Sequence, residues 1–478
     1  MSYRQTFPKR ASTRGLPVGF LEPATAWMAI LGLFLCTFGG IFVGAGRILN
    51  LVFPVAALGV GGLLYFRYPI LYLGFTWWMW LITPFLRRLI DIRIGYTDPS
   101  PILVAPYLVT AITLITVFQH LSKVDRQERL AFGLPLAGLF YGYLIGLINH
   151  SAPVTVTREL LDWLTPVTFG FHCLANWRSF PNYYQNLQRT FAWGVLIVGF
   201  YGVYQYVVAP DWDILWLIES EQINANGYFG QAPGPYTIRV FSTMQSAEPF
   251  AAFMGSALVM LLNYQGILKI PAFIAGFLAF LFSLVRSAWL GWLAGLVTFV
   301  GYLKSKNQMR LIVTIGILAF MVIPLASMEP FSAVIGDRVQ SLSNVQADGS
   351  AQVRQEFFQM SIFNALTNFV GDGIGAGLVD SGILAMFFNL GIIGTVCYVG
   401  GLLPLTIKLF QEFESDSLLF FPIARAMIVT CLVRLPVNGT SIVGVGGLIL
   451  WSFLGLGLAA RRYYKHQERT LRLNESLL

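Results

Sequence analysis

Apolar runs long enough to cross a bilayer follow one another from Ala24 to Ala460, with only short polar interruptions. A crossing needs roughly 20 apolar residues for a hydrocarbon core about 30 Å thick, and its backbone groups must bond within the segment, so such runs fold as helices. Only 11% of the 478 residues are charged, less than half of the quarter or so found in soluble domains. One all-α, polytopic membrane domain is expected over 1–478. Candidate spans are 24–45, 48–66, 69–86, 102–119, 131–149, 165–176, 191–208, 247–264, 270–285, 287–303, 311–326, 380–407, 417–435 and 441–460. They amount to about 12–14 crossings, with 165–176 short enough to read as either a crossing or a re-entrant element.

The basic start "MSYRQTFPKRASTRG" leads into an apolar run without a clear small-residue cleavage site, so it reads as a retained first helix. Cys36, Cys173, Cys397 and Cys431 all fall in apolar runs without metal-ligand spacing and read as inert thiols. The net charge of +8 is spread over short loops and tails. That is the pattern of orienting charges rather than of nucleic-acid binding.

Lys and Arg concentrate in cytoplasmic loops, which orients the chain. Both termini, "HLSKVDRQER", "NWRSFPNYYQNLQR", "QGILK", "KSKNQMR" and the loop around Lys408 then share the inner face, together with every lysine. Two long segments, 209–246 and 327–379, fall on the outer face, the second with short helices expected. The apolar run from Ile270 to Leu303 contains one charge, Arg286. As one helix it would reach about 51 Å, too long for a single crossing. Lysines on both flanks require an even number of crossings, so the run is expected to be two helices with Arg286 at their outer hairpin tip.

On this topology the outer face carries ten arginines and no lysine: Arg47, Arg87, Arg88, Arg93, Arg158, Arg239, Arg286, Arg338, Arg354 and Arg434. A guanidinium fork matches phosphate oxygens in pairs and keeps its charge in a poorly hydrated site. Arg is also the commoner base overall, so part of the bias is composition. Arg87, Arg88 and Arg93 offend the positive-inside tendency: either the topology fails there, or they act locally with Asp91. Further along, "QVRQEFFQMSIFNAL", Gln352 to Leu366, has helical composition and "GDGIGAG" leads into the next span.

The succession "RVFSTMQSAEPFAAFM", "SLVRSAWLGW", the long loop with its arginines and "GDGIGAG", then "DSGILAMFFNLGIIG" resembles the O-antigen ligase and polysaccharide polymerase family over roughly 235–400. The resemblance implies a glycosyltransferase at the outer face of the bacterial inner membrane. Its donor is a polyprenyl-diphosphate-linked glycan, its acceptor a sugar hydroxyl, and membrane lipid surrounds both; a flippase and a chain-length regulator would be partners. Arg239 and Arg286 match the family's diphosphate-binding arginines, and Arg338 and Arg354 its loop arginines, Arg354 reading equally as a brace for its own helix. Ligases of the family carry a histidine near the end of the long loop, where this chain has "LVDSGIL". Asp380 there reads as a proton acceptor or as a helix N-cap. Glu248 is the other acidic candidate, or merely neutralises Arg239. No histidine is assigned a role, and no DxD, HExxH or His/Cys cluster on the outer face is read as a metal site, so neither metal nor cofactor is expected. A polymerase of lipid-linked repeat units is the first reading. A ligase to a lipid or protein acceptor is the second, and a transporter or flippase the third.

Overall fold

The computed structural model describes residues 23–150, 152–220, 233–303, 308–309, 363, 367–377, 381–411 and 420–475, and no strand occurs among them. The helices are α1 Ala24–Phe42, α2 Gly46–Arg67, α3 Pro69–Ile94, α4 Ala105–Ala111, α5 Leu114–His120, α6 Arg126–Asn149, α7 Pro153–Ala175, α8 Phe180–Val208, α9 Asp211–Glu219, α10 Ala247–Leu261, α11 Lys269–Phe282, α12 Arg286–Gly301, α13 Gly382–Phe410, α14 Phe420–Leu432 and α15 Gly444–Glu475. Among the described residues, nine helical segments are long and apolar enough to cross a membrane. The chain is a polytopic helical membrane protein. The expected span at 311–326 and most of 327–379 lie outside the described residues.

The run around Arg286 is broken, as its length requires: Ser283, Leu284 and Val285 separate α11 from α12, and Leu284 has a φ of +55°. Segment 165–176 is not a short element of its own. It is the second half of α7, a helix of 23 residues. A hydropathy reading cuts this helix at Arg158, Glu159 and Asp162, charges that the helix carries without interruption.

Lipid tails are as apolar as leucine, so helices in a membrane associate by close packing of small residues rather than by a hydrophobic drive. Glycines line four interfaces here. A Cβ at Gly138 or Gly142 of α6 would fall 2.6 and 2.7 Å from the carbonyls of Gly394 and Asn389 in α13. Gly199 of α8 meets Gly276 of α11, Gly170 of α7 meets Trp451 and Gly455 of α15, and Gly291 of α12 meets Thr430 of α14. Helix α15 is buried almost throughout its apolar part and forms the centre of the bundle.

The "GDGIGAG" segment does more than lead into a span. Gly371, Gly373, Gly375 and Gly377 all have positive φ, and the segment wedges between α6 and α13 with Ile374 fully buried. Helix α13 is interrupted at Gly391, φ +62°. The interruption frees backbone groups that need partners in a membrane. The wedge supplies them: Asp372 N–H donates to Phe388 O at 2.8 Å and Ile392 N–H to Phe369 O at 3.1 Å, while Ile374 N–H ties the wedge to Gly142 O of α6 at 2.9 Å. A side chain at Gly146 would collide with the Ile374 backbone. Gly146→Val is therefore expected to destabilise the protein by about 1–3 kcal/mol, the usual cost of overpacking. Gly133→Val, where nothing lies within 4 Å, should not, and melting in detergent reads the difference.

The basic segments gather at one end of the bundle. Arg462 reaches Glu128 at 3.5 Å and Asp125 at 3.8 Å, Lys408 reaches Glu128 at 3.3 Å, and Tyr184 receives a hydrogen bond from Asn263 at 3.0 Å. Arg239, Arg286, Glu248 and Arg434 belong to the other end.

Candidate functional site

Arg239 is carried by a non-helical segment, so its position depends on what anchors that segment. Val240 N–H donates to Phe282 O at 3.0 Å, and Arg239 Nε donates to Ser283 O at 3.3 Å, which lays the strip along the α11–α12 hairpin. Behind it, the buried side chain of Gln205 accepts from the N–H groups of Phe241, at 3.0 Å, and Ser242, at 2.7 Å. Ser242 has a φ of +51°, and its carbonyl accepts from Arg88. Arg88 in turn pairs with Asp213 at 2.7 Å, both wholly buried, and Asp213 also accepts from Tyr201 and Gln205 at 2.7 Å. Burial raises the Asp213 carboxyl above the usual carboxylate range, against the opposing pull of Arg88, Tyr201 and Gln205. A buried charge is tolerated only when paired and hydrogen-bonded. This network meets that condition and clamps α3, α8 and α9 onto the strip that bears Arg239.

Arg286 is the first residue of α12, and the residue before it, Val285, has no side-chain oxygen to cap the helix. The positive end of the helix dipole and a guanidinium thus coincide, an arrangement suited to an anion. Arg434 lies behind. Its aliphatic stem covers Gly291, where a Cβ would come within 3.0 Å of its Cγ, and its guanidinium pairs with Glu248 at 3.0 Å. Asn438 donates to the same carboxylate oxygen. Arg434 is 1% exposed, whereas the Glu248 side chain is 38% exposed.

The hairpin therefore places Arg239 beside the turn that starts the helix of Arg286, and the Arg434–Glu248 pair adjoins that helix at Gly291. The expectation that Glu248 neutralises Arg239 is corrected, because the ion pair found for it is with Arg434, 186 positions away in sequence. Arg434 was legible only as one of ten outer arginines. Arg87 does act locally with Asp91, at 3.1 Å, and sits between the rings of Tyr96 and Trp216.

Arg338, Arg354 and Asp380 lie outside the described residues. The N-cap of α13 is Ser381, whose hydroxyl accepts from Leu384 N–H at 3.4 Å. Asp211-Trp212-Asp213 has the spacing of a metal-binding acid pair, but Asp213 is committed to Arg88. Among the described residues no group of three His, Cys, Asp or Glu side chains is placed to hold a metal ion. No model of a known protein family matches the chain, and a search of curated proteins finds no match.

Proposed function

We propose that the protein is a glycosyltransferase that polymerises polyprenyl-diphosphate-linked oligosaccharides at the outer face of a bacterial inner membrane. The observation that carries this reading is the seating of Arg239 on the hairpin that starts the helix of Arg286. That seating puts Arg239 beside the turn that leads into the helix of Arg286, whose first turn has no side-chain cap, a combination suited to a diphosphate. By the positive-inside tendency, the end holding the lysines is cytoplasmic and the arginine end is outside.

Depth supports a lipid-linked donor. Helices α10, α11 and α12 have 15, 14 and 16 residues. At about 1.5 Å per residue they reach roughly 21–24 Å, so from the cytoplasmic surface they stop about 6–9 Å short of the far side of a 30 Å core. On this reading the hairpin tip lies below the outer headgroups, so a lipid-linked diphosphate drawn down to it would meet the arginines in surroundings of low dielectric.

In the reaction, an acceptor hydroxyl attacks the anomeric carbon of the donor. The bond from that carbon to the diphosphate oxygen breaks, the hydroxyl proton passes to a carboxylate, and polyprenyl diphosphate leaves. Negative charge grows on the leaving diphosphate, where preorganised guanidinium groups in surroundings of low dielectric stabilise it most. Asp380 is the proposed proton acceptor. Glu248, tied to Arg434 and Asn438, holds that arginine in place. A transporter reading would draw on the broken helix α13, but the backbone groups freed at Gly391 are taken up by the 369–374 wedge.

The test is purified protein in detergent or vesicles with a polyprenyl-diphosphate-linked oligosaccharide. A ladder of extended chains is expected; transfer of one finished glycan to a lipid or protein acceptor would favour the ligase reading, and no transfer would sink both. Since arginines carry the leaving-group charge, EDTA is expected to change the rate by less than about twofold. An absolute requirement for magnesium would contradict that assignment.

A further inference from the structure

Charged side chains within a transmembrane bundle are costly and generally have a partner or a task. Three carboxylates in the arginine-bearing half have ion-pair partners: Asp91 with Arg87, Asp213 with Arg88, and Glu248 with Arg434. Asp162 has none within 4 Å among the described residues. It stands nine positions into α7, about 13 Å from the start of the helix. The Tyr107 hydroxyl donates to its Oδ1 at 2.7 Å, and the Tyr107 ring is held edge-on by Trp80 at 4.8 Å. Even so, both Asp162 and Tyr107 remain partly exposed.

The backbone beside this carboxylate belongs to the loop that builds the arginine site. Gly444 opens α15 with a φ of +50°, and a Cβ there would lie 3.3 Å from Asp162 Oδ1. Six positions earlier in the loop, Asn438 bonds to Glu248. Six residues span at most about 20 Å when extended, and the 3-10 turn Gly439–Ser441 shortens that reach. Asp162 therefore lies within the length of a short oligosaccharide from the Glu248–Arg434 pair.

We propose that Asp162 and Tyr107 form the subsite that binds hydroxyl groups of the acceptor sugar, an inference that rests on the glycosyl-transfer reading above. An ionised carboxylate only accepts hydrogen bonds, and sugar hydroxyls donate them, two at a time when they are adjacent. The phenol adds a group that donates or accepts. Arg158 and Glu159 of the same helix act on this carboxylate in opposite senses and neither pairs with it, so it still disfavours a diphosphate, and the site selects the uncharged acceptor while the arginines hold the donor.

Asp162→Asn keeps an oxygen for Tyr107 but loses the charge-assisted bonds to sugar. It is expected to raise the acceptor KM roughly 10- to 100-fold, with donor KM and kcat at saturating acceptor within about twofold of wild type. In a parallel assay, oligosaccharides released by partial acid hydrolysis of the host's own envelope polysaccharide serve as the probe. Their saturation-transfer NMR signal should appear with wild-type protein and vanish with the variant. An unchanged acceptor KM and an unchanged signal would overturn the proposal while leaving transferase activity standing. So would a fall in kcat and melting temperature with both KM values unchanged, which would make the carboxylate a brace for Tyr107. Sugar binding that depends on Asp162 in a wild-type protein without transferase activity would sink the transfer reading and keep the subsite. If Asp162→Asn does not accumulate, Tyr107→Phe, which preserves the ring against Trp80, is read in the same two assays.

Discussion

Arg286→Lys is expected to insert and fold normally yet to lose about 10- to 100-fold in polymerisation rate, because an ammonium keeps the charge but not the planar fork that meets two phosphate oxygens. The stem of the side chain starts at the first residue of α12, so the change leaves the hairpin backbone, Ser283–Val285, as it is. On the proposed reading, what it removes is a pair of parallel bonds that strengthen as the leaving diphosphate gains charge. Most of the loss should fall on kcat, with donor KM moving less, the signature of an interaction made mainly in the transition state. Arg178→Lys at the opposite end of the bundle, where Arg178 packs on Trp177, should be close to silent. Wild-type polymer yield in cells whose only copy is Arg286→Lys would remove the diphosphate assignment.

The hairpin that this prediction depends on was legible because it follows from length alone. A 34-residue apolar run cannot be one crossing, and lysines at both ends leave two crossings as the solution. Local chemistry of that kind also marked Arg87, which pairs with an aspartate one helical turn away. Helix α7 was obscured by its own charges: Arg158, Glu159 and Asp162 lower the hydropathy of a helix that is nonetheless continuous. The Arg88–Asp213–Gln205–Ser242 network was not legible at all. Its members are separated by up to 154 positions, and nothing local tells a buried arginine which of several distant acids it will meet. The same holds for Arg434 with Glu248, a pairing that reverses the simpler guess of Arg239, nine positions away. Glycine signals were visible as turn chemistry, but their use was tertiary: alternate positive-φ residues allow the 371–377 segment to enter a gap opened by Gly391 far along the next helix.

Asp380→Asn is the second large effect, and the position of the helix cap is what makes it decisive. A cap can be rebuilt: Asn offers a side-chain oxygen to the first amides of a helix about as well as Asp does, so a capping role predicts a loss of only tenths of a kcal/mol. That role belongs to Ser381, which bonds to Leu384 N–H. Ser381→Ala is accordingly expected to cost about 0.5–2 kcal/mol of stability with little change in rate per folded molecule. A proton acceptor, by contrast, cannot be rebuilt from an amide, and general-base assistance is typically worth 10²–10⁴-fold in rate. Asp380→Asn should therefore lose at least about 100-fold in kcat at normal melting temperature, while donor binding survives. The two variants should separate cleanly when thermal melting and single-turnover kinetics are measured on the same preparations. Near-normal turnover by Asp380→Asn would release the base assignment, and since Glu248 is held by Arg434 and Asn438, it would direct attention to the substrate's own groups or to Asp162.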